Sequence, residues 1–182
     1  MKKISSITLI GEFLLTSALF AGGFTLTSPV ISGQLTLDQV FAGFGCEGNN
    51  ISPQLNWENA PAGTKSFAVT VYDPDAPTGS GWWHWVIFDI PASADMLKTG
   101  AGNPESMLAP EGCIQSITSF NQKGFGGACP PEGDAPHRYI ITVCALGVDH
   151  LGLDSDAPPE MVGFYLHANT LAKASLIAYY QR

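Results

Sequence analysis

Asp73 and Asp75 sit in the segment Tyr72-Asp73-Pro74-Asp75-Ala76-Pro77, and Trp82-Trp83-His84-Trp85 follows a few residues later. Each proline fixes its own φ and drives the residue before it toward extended geometry, so the carboxylates are presented at set angles. A turn that had only to reverse the chain would use Gly or Asn rather than two prolines. Carboxylates beside an imidazole can favour its protonated form, and both groups can ligate a metal. With tryptophans on either side of the histidine, the spacing predicts a small polar pocket rimmed by aromatics.

A second constellation matches the first. Gly126-Gly127-Ala128-Cys129-Pro130-Pro131 leads through Glu132-Gly133-Asp134-Ala135-Pro136 into His137-Arg138-Tyr139. The glycines allow backbone N–H groups to converge on an anion, and the prolines stiffen the lip. His137 and Tyr139 lie two apart at a strand start, so they share one face, while Arg138 points away toward a structural partner such as an internal carboxylate. An anion beside Asp73 and Asp75 is repelled unless positive charge intervenes, and His84 and His137 are expected to supply it as imidazolium. A zwitterionic head group suits such a site, with phosphate toward histidines and N–H groups and ammonium toward Asp or a Trp face. The other histidines read differently: His150 as a solvated loop residue, His167 as a packing or capping residue. Trp57 reads as core.

Strand signals dominate the elements that must position these groups. Residues 65–72 alternate, with Phe67, Val69 and Val71 on one face, and 83–90 and 138–146 are near-continuous apolar runs expected of strands covered on both faces. Loops rich in Gly, Pro and Asn fill 43–53, 73–81, 100–113 and 121–136. Helical pattern is confined to 156–165 and 168–180, the latter from good helix formers and a stripe through Leu171, Ala174 and Ile177 or Ala178. The expectation is one mainly-β domain over 24–182 with a few peripheral helices.

Hydrophobic residues make up 45% and charged residues 13% of the 182, which excludes a disordered chain. Net charge is −8 with no basic stripe, so nucleic acid is not an expected partner. Lys2-Lys3, an apolar run from Ile4 to Phe20 broken by Glu12, and small residues at Ala21-Gly22-Gly23 predict a signal peptide over 1–21, with cleavage after Ala21 or Gly23. No other run approaches the roughly 20 apolar residues of a membrane span, so a periplasmic or secreted protein without a transmembrane anchor is expected. Of the four cysteines, Cys46 and Cys129 lie in Gly-rich loops that can adjust to disulfide geometry. That favours a Cys46–Cys129 pair, with Cys113 and Cys144 either paired or buried as free thiols.

The chain resembles the phosphatidylethanolamine-binding protein family, also called Raf kinase inhibitor-like proteins, and specifically its bacterial branch. The resemblance rests on Asp73-Pro74-Asp75-Ala76-Pro77, Trp82-Trp83-His84-Trp85, Gly127-Ala128-Cys129-Pro130-Pro131 running to His137-Arg138-Tyr139, and Asn50-Ile51-Ser52-Pro53 upstream. It implies a β-sandwich of two sheets with short helices and an anion pocket at one end. Asp73, His84, Pro130, His137 and Tyr139 would sit at the ligand, with Gly127 offering backbone contacts and Asp75 close by. It also makes a homodimer an expectation, and implies no cofactor. One departure is Cys129, which stands where the family's lip has a second glycine and would narrow the mouth. Reversible binding of a phosphate-containing or other anionic ligand, without turnover, is the leading expectation. A metal-assisted phosphoester hydrolase and an inhibitor of a protease or other protein partner are the alternatives.

Overall fold

Three long, largely buried strands organise the molecule, one with alternating apolar residues and two with near-continuous apolar runs. A computed structural model describes residues 22–182, and the leader expected over 1–21 lies outside them. In chain order the strands are β1 (Thr25–Thr27), β2 (Ala42–Gly43), β3 (Cys46–Glu47), β4 (Leu55–Glu58), β5 (Ser66–Asp73), β6 (Trp82–Pro91), β7 (Met96–Leu97), β8 (Ile114–Gln115) and β9 (His137–Leu146). Helix α1 (Pro159–Asn169) and strand β10 (Thr170–Tyr180) complete the chain. Five strands pair in the order β10-β9-β5-β6-β8, and β1-β4-β7 form a smaller sheet.

The two sheets face each other, giving the expected sandwich. Phe67, Val69 and Val71 of β5, Trp85 and Ile87 of β6, and Ile141 and Val143 of β9 pack against Leu26, Leu55, Trp57 and Leu97 of the small sheet. The opposite face of the large sheet carries Ala68, Val86, Phe88 and Cys144, which pack beneath Val162 and Leu166 of α1. Burial on both faces explains why β6 reads as an unbroken apolar run, since such strands have no water-facing side to mark with polar residues. Among the described residues no helix is long and apolar enough to cross a membrane.

The helix expected over 168–180 is instead β10, which pairs with β9 along its length, from Thr170 opposite Leu146 to Tyr180 opposite His137. Its residues also fit a period of two. Ala174, Leu176 and Ala178 turn inward, while Leu171, Lys173, Ser175, Ile177 and Tyr179 are exposed. Pairing with β9 overrides a helix propensity of only tenths of a kcal/mol per residue. The helix expected over 156–165 exists but is shifted, entered through Pro159 in its first turn and closed where the Thr170 N–H donates to the Leu166 carbonyl.

Candidate functional site

Antiparallel pairing brings the end of β5 beside the start of β9, with Tyr72 opposite Ile140. This register sets Asp73 next to His137 and Tyr139. Asp73 is buried and fully engaged. Its Oδ1 accepts from the N–H groups of Asp75 at 2.8 Å and Ala76 at 3.1 Å, the local turn that the prolines preset. Its Oδ2 lies 2.8 Å from His137 Nδ1. An ionised carboxylate only accepts, so His137 donates from Nδ1 and its Nε2 faces outward, 3.4 Å from Asp134.

His84 reaches the same place through a bulge. On β6, Trp85 sits opposite Val71 and Trp83 opposite Tyr72, leaving His84 as the extra residue. Trp85 and Ile87 enter the core between the sheets, whereas Val86 enters the layer under α1. Strict alternation would send His84 under the helix with Val86. Instead Trp83 packs on the helix side, and the His84 ring meets Tyr139 with centroids 5.1 Å apart. Bulges commonly re-aim a side chain in this way.

His84 Nδ1 donates to the Gly126 carbonyl at 2.7 Å, so its Nε2 carries the lone pair. Burial pushes its pKa down to about 4, outweighing the hydrogen bonds and the Asp73 charge that act the other way. The expectation of a protonated His84 is therefore corrected: the ring is neutral near pH 7, because desolvation wins over the nearby carboxylate. The Tyr139 hydroxyl is buried, and no group among the described residues bonds to it. Burial, reinforced by Asp73, raises its pKa and keeps it a neutral donor.

Asp73, His84, Pro130, His137 and Tyr139 all line one cavity of about 180 Å³, with Trp82, Phe44 and Phe120 toward the mouth. Of the tryptophans, only Trp82 contributes to it. Two expected members stand elsewhere. Asp75 turns outward and is held by Arg138, whose Nε and Nη2 reach its two oxygens at 2.9 and 2.7 Å. The guanidinium holds the Asp75 carboxyl at about 2, below the ordinary carboxylate range. Arg138 thus has the internal carboxylate expected of it, and Asp75 braces the loop rather than facing a ligand.

Gly127 also lies outside the cavity lining, and the lip amides do not converge on an anion. The N–H of Gly126 donates to the His84 carbonyl, that of Ala128 to Gln39, and that of Gly127 to Asn50 Oδ1 at 2.7 Å. These glycines serve close packing. A Cβ on Gly126 would collide with the Phe120 ring, and one on Gly127 with the backbone of Gln39 and Val40. Gly127→Ala is accordingly expected to lower stability by about 2–3 kcal/mol, measured by urea unfolding, because backbone rather than a flexible side chain must give way. A loss within about 0.5 kcal/mol, the range of ordinary surface changes, would contradict this account.

The Cys46–Cys129 disulfide is formed, and Cys129 lies on the cavity wall as the lip pattern implied. Arg182 reinforces this mouth, donating from Nε to the Pro130 carbonyl and from Nη1 to the Gly45 carbonyl, both at 2.9 Å. Cys113 and Cys144 are free thiols. Phe44, Phe120 and Arg182 were not singled out from sequence. Only the glycines flanking Phe44 hinted at a special backbone there. His150 is exposed, 3.4 Å from Asp89, as its polar surroundings suggested, whereas His167, expected to pack or cap, is exposed in the last turn of α1, whose C-cap bond comes from Thr170.

A profile of the family described as phosphatidylethanolamine-binding protein matches residues 27–181. The UPF0098 protein YbcL of Escherichia coli (strain K12) is 51% identical over 147 residues, covering 81% of this chain and 80% of YbcL. The UPF0098 protein YbhB of the same organism is 51% identical over 139 residues, covering 76% of this chain and 87% of YbhB. The crystal structure of E. coli YbcL superposes with a TM-score of 0.86 at 49% identity, covering 88% of this chain and 99% of that one. Fold, cavity-lining motifs and these matches agree: the chain belongs to the phosphatidylethanolamine-binding protein family.

Proposed function

We propose that this is an exported binding protein that reversibly holds a small phosphate-containing or other anionic group in the Asp73–His84–His137–Tyr139 cavity. The observation that carries the reading is the buried, unpartnered hydroxyl of Tyr139, a residue that lines one small cavity together with His84 and His137. A buried hydroxyl without a partner loses about 1–3 kcal/mol, and an acceptor oxygen of a ligand restores it. The family's name directs the choice of head group toward phosphoethanolamine. Export accords with a disulfide at the mouth, since such bonds persist outside the reducing cytosol.

Turnover is not part of the proposal. Of the wall's hydroxyl and sulfur groups, the Cys129 sulfur is bonded to Cys46, the Thr78 hydroxyl donates to the Gly81 carbonyl at 2.6 Å, and burial keeps the Tyr139 hydroxyl protonated. Asp73 spends both oxygens on protein donors and Asp75 is taken by Arg138, so the carboxylates of a metal-assisted hydrolase are likewise occupied.

Binding is expected to take up a proton. Among the described residues no Lys or Arg lines the cavity, and an anion beside neutral His84 favours its imidazolium form, raising its pKa from about 4. Affinity therefore rises as pH falls from about 7 toward 4, by at most tenfold per unit, and flattens below the free-state value. Titration calorimetry with sulfate, whose own charge is constant over this range, separates protein protonation from ligand protonation. Phosphoethanolamine affinity should fall at least tenfold in His84→Ala and in His137→Ala. Unchanged or tighter binding in both would remove the proposal.

A further inference from the structure

Phe44 is 69% exposed and adopts φ 54°, a left-handed conformation that a bulky side chain rarely holds. Neither burial nor backbone preference explains a phenyl ring there, because Gly or Asn would take the turn at lower cost. The strained tip is nevertheless firmly held. The disulfide fixes Cys46 two residues on, and Arg182 binds the Gly45 carbonyl. What the ring does is extend an aromatic wall. Phe44 stacks with Phe120 at 5.9 Å and 14°, Phe41 backs both, and Trp82 stands edge-on to Phe120 at 5.3 Å and 88°. Phe120 in turn touches the His84 ring, with centroids 5.4 Å apart. Gly126 is the residue that leaves room for Phe120 to lie there.

The polar floor and this aromatic corner are thus continuous. Phe120, Trp82 and Phe44 line the same cavity as Tyr139 and His137, so a substituent on an anion held there has this aromatic corner within reach. Inorganic phosphate uses only the floor. We infer that Phe44, with Phe120 and Trp82, selects ligands in which the anionic group carries an apolar, preferably aromatic, substituent; this rests on the anion-binding reading of the cavity. Offset and edge-to-face contacts with such a substituent add affinity beyond the area they bury.

The test is calorimetry on the mature chain with two phosphate monoesters of equal charge, methyl phosphate and phenyl phosphate. Phenyl phosphate should bind about tenfold or more tightly, and Phe44→Asn should cut that ratio to about threefold or less. Asn suits the left-handed backbone, so the variant should melt no lower than the parent, and Phe44→Gly provides an independent second removal of the ring. Equal affinity for both esters in the parent, or a ratio unchanged in both variants, overturns the aromatic selection while leaving the anion cavity in place. Failure of the parent to bind either ester overturns the cavity reading and the selection with it.

Discussion

Replacing Cys46 and Cys129 together by Ser is expected to lower the unfolding free energy by about 4 kcal/mol, the largest loss available from any bond at the mouth. The crosslink spans 83 residues, and closing a loop of that length removes about 4–5 kcal/mol of denatured-chain entropy in the loop-closure account. Free thiols do not undermine it in the native state. Burial pushes Cys113 up to about 11 and also raises Cys144, so neither presents much thiolate to attack the bridge. Urea unfolding of the double variant measures the loss. Alkylation of the denatured, unreduced protein should modify two cysteines, and four after reduction. A variant as stable as the parent, or a digest lacking a peptide that links 46 to 129, would contradict the expectation.

Asp73→Ala should be nearly as damaging to stability and more so to binding. Three donors converge on this buried carboxylate: two backbone N–H groups of the following turn and His137 Nδ1. Leaving a buried donor unsatisfied costs about 1–3 kcal/mol, and three donors lose their acceptor here, so a total loss of about 3–5 kcal/mol is expected. Asp73→Asn separates the roles. Its carbonyl can still accept both N–H groups, but its NH₂ confronts His137 Nδ1 and forces the proton to Nε2. We expect Asn to lose only about 1–2 kcal/mol while inverting the imidazole that the ligand meets. Urea unfolding with calorimetric titration of phosphoethanolamine distinguishes the two. Equal stability losses for Ala and Asn, or full affinity in the Asn variant, would mean that Asp73 does not orient His137.

The strands that carry the site were legible because their signals are local. Phe67, Val69 and Val71 alternate, and the apolar runs of β6 and β9 announce burial on both faces. Asp73, His84, His137 and Tyr139, at or near the ends of these strands, line one cavity together with Pro130 of the lip. Two features were hidden for physical reasons. The segment that became β10 satisfies both a helical stripe and a period of two, and only the presence of β9 decides between them. The bulge at His84 depends on register against β5, which no spacing within β6 reveals. The lip failed differently. Gly126 and Gly127 have the composition of an anion nest, but their amides are consumed by the His84 carbonyl and Asn50 Oδ1. The family resemblance places Asp75 close to the ligand, but its side chain turns to Arg138 instead.

The partners that make the hollow are remote along the chain: 64 residues separate Asp73 from His137, and 77 separate Asn50 from Gly127. Nothing nearby in sequence can assemble it early, and sheets built from such distant pairings form on millisecond-to-second timescales. Recovery of ligand uptake during refolding should therefore lag the first appearance of strand structure and coincide with the last, slowest phase. Occupancy of the hollow would then serve as a clock for the end of folding.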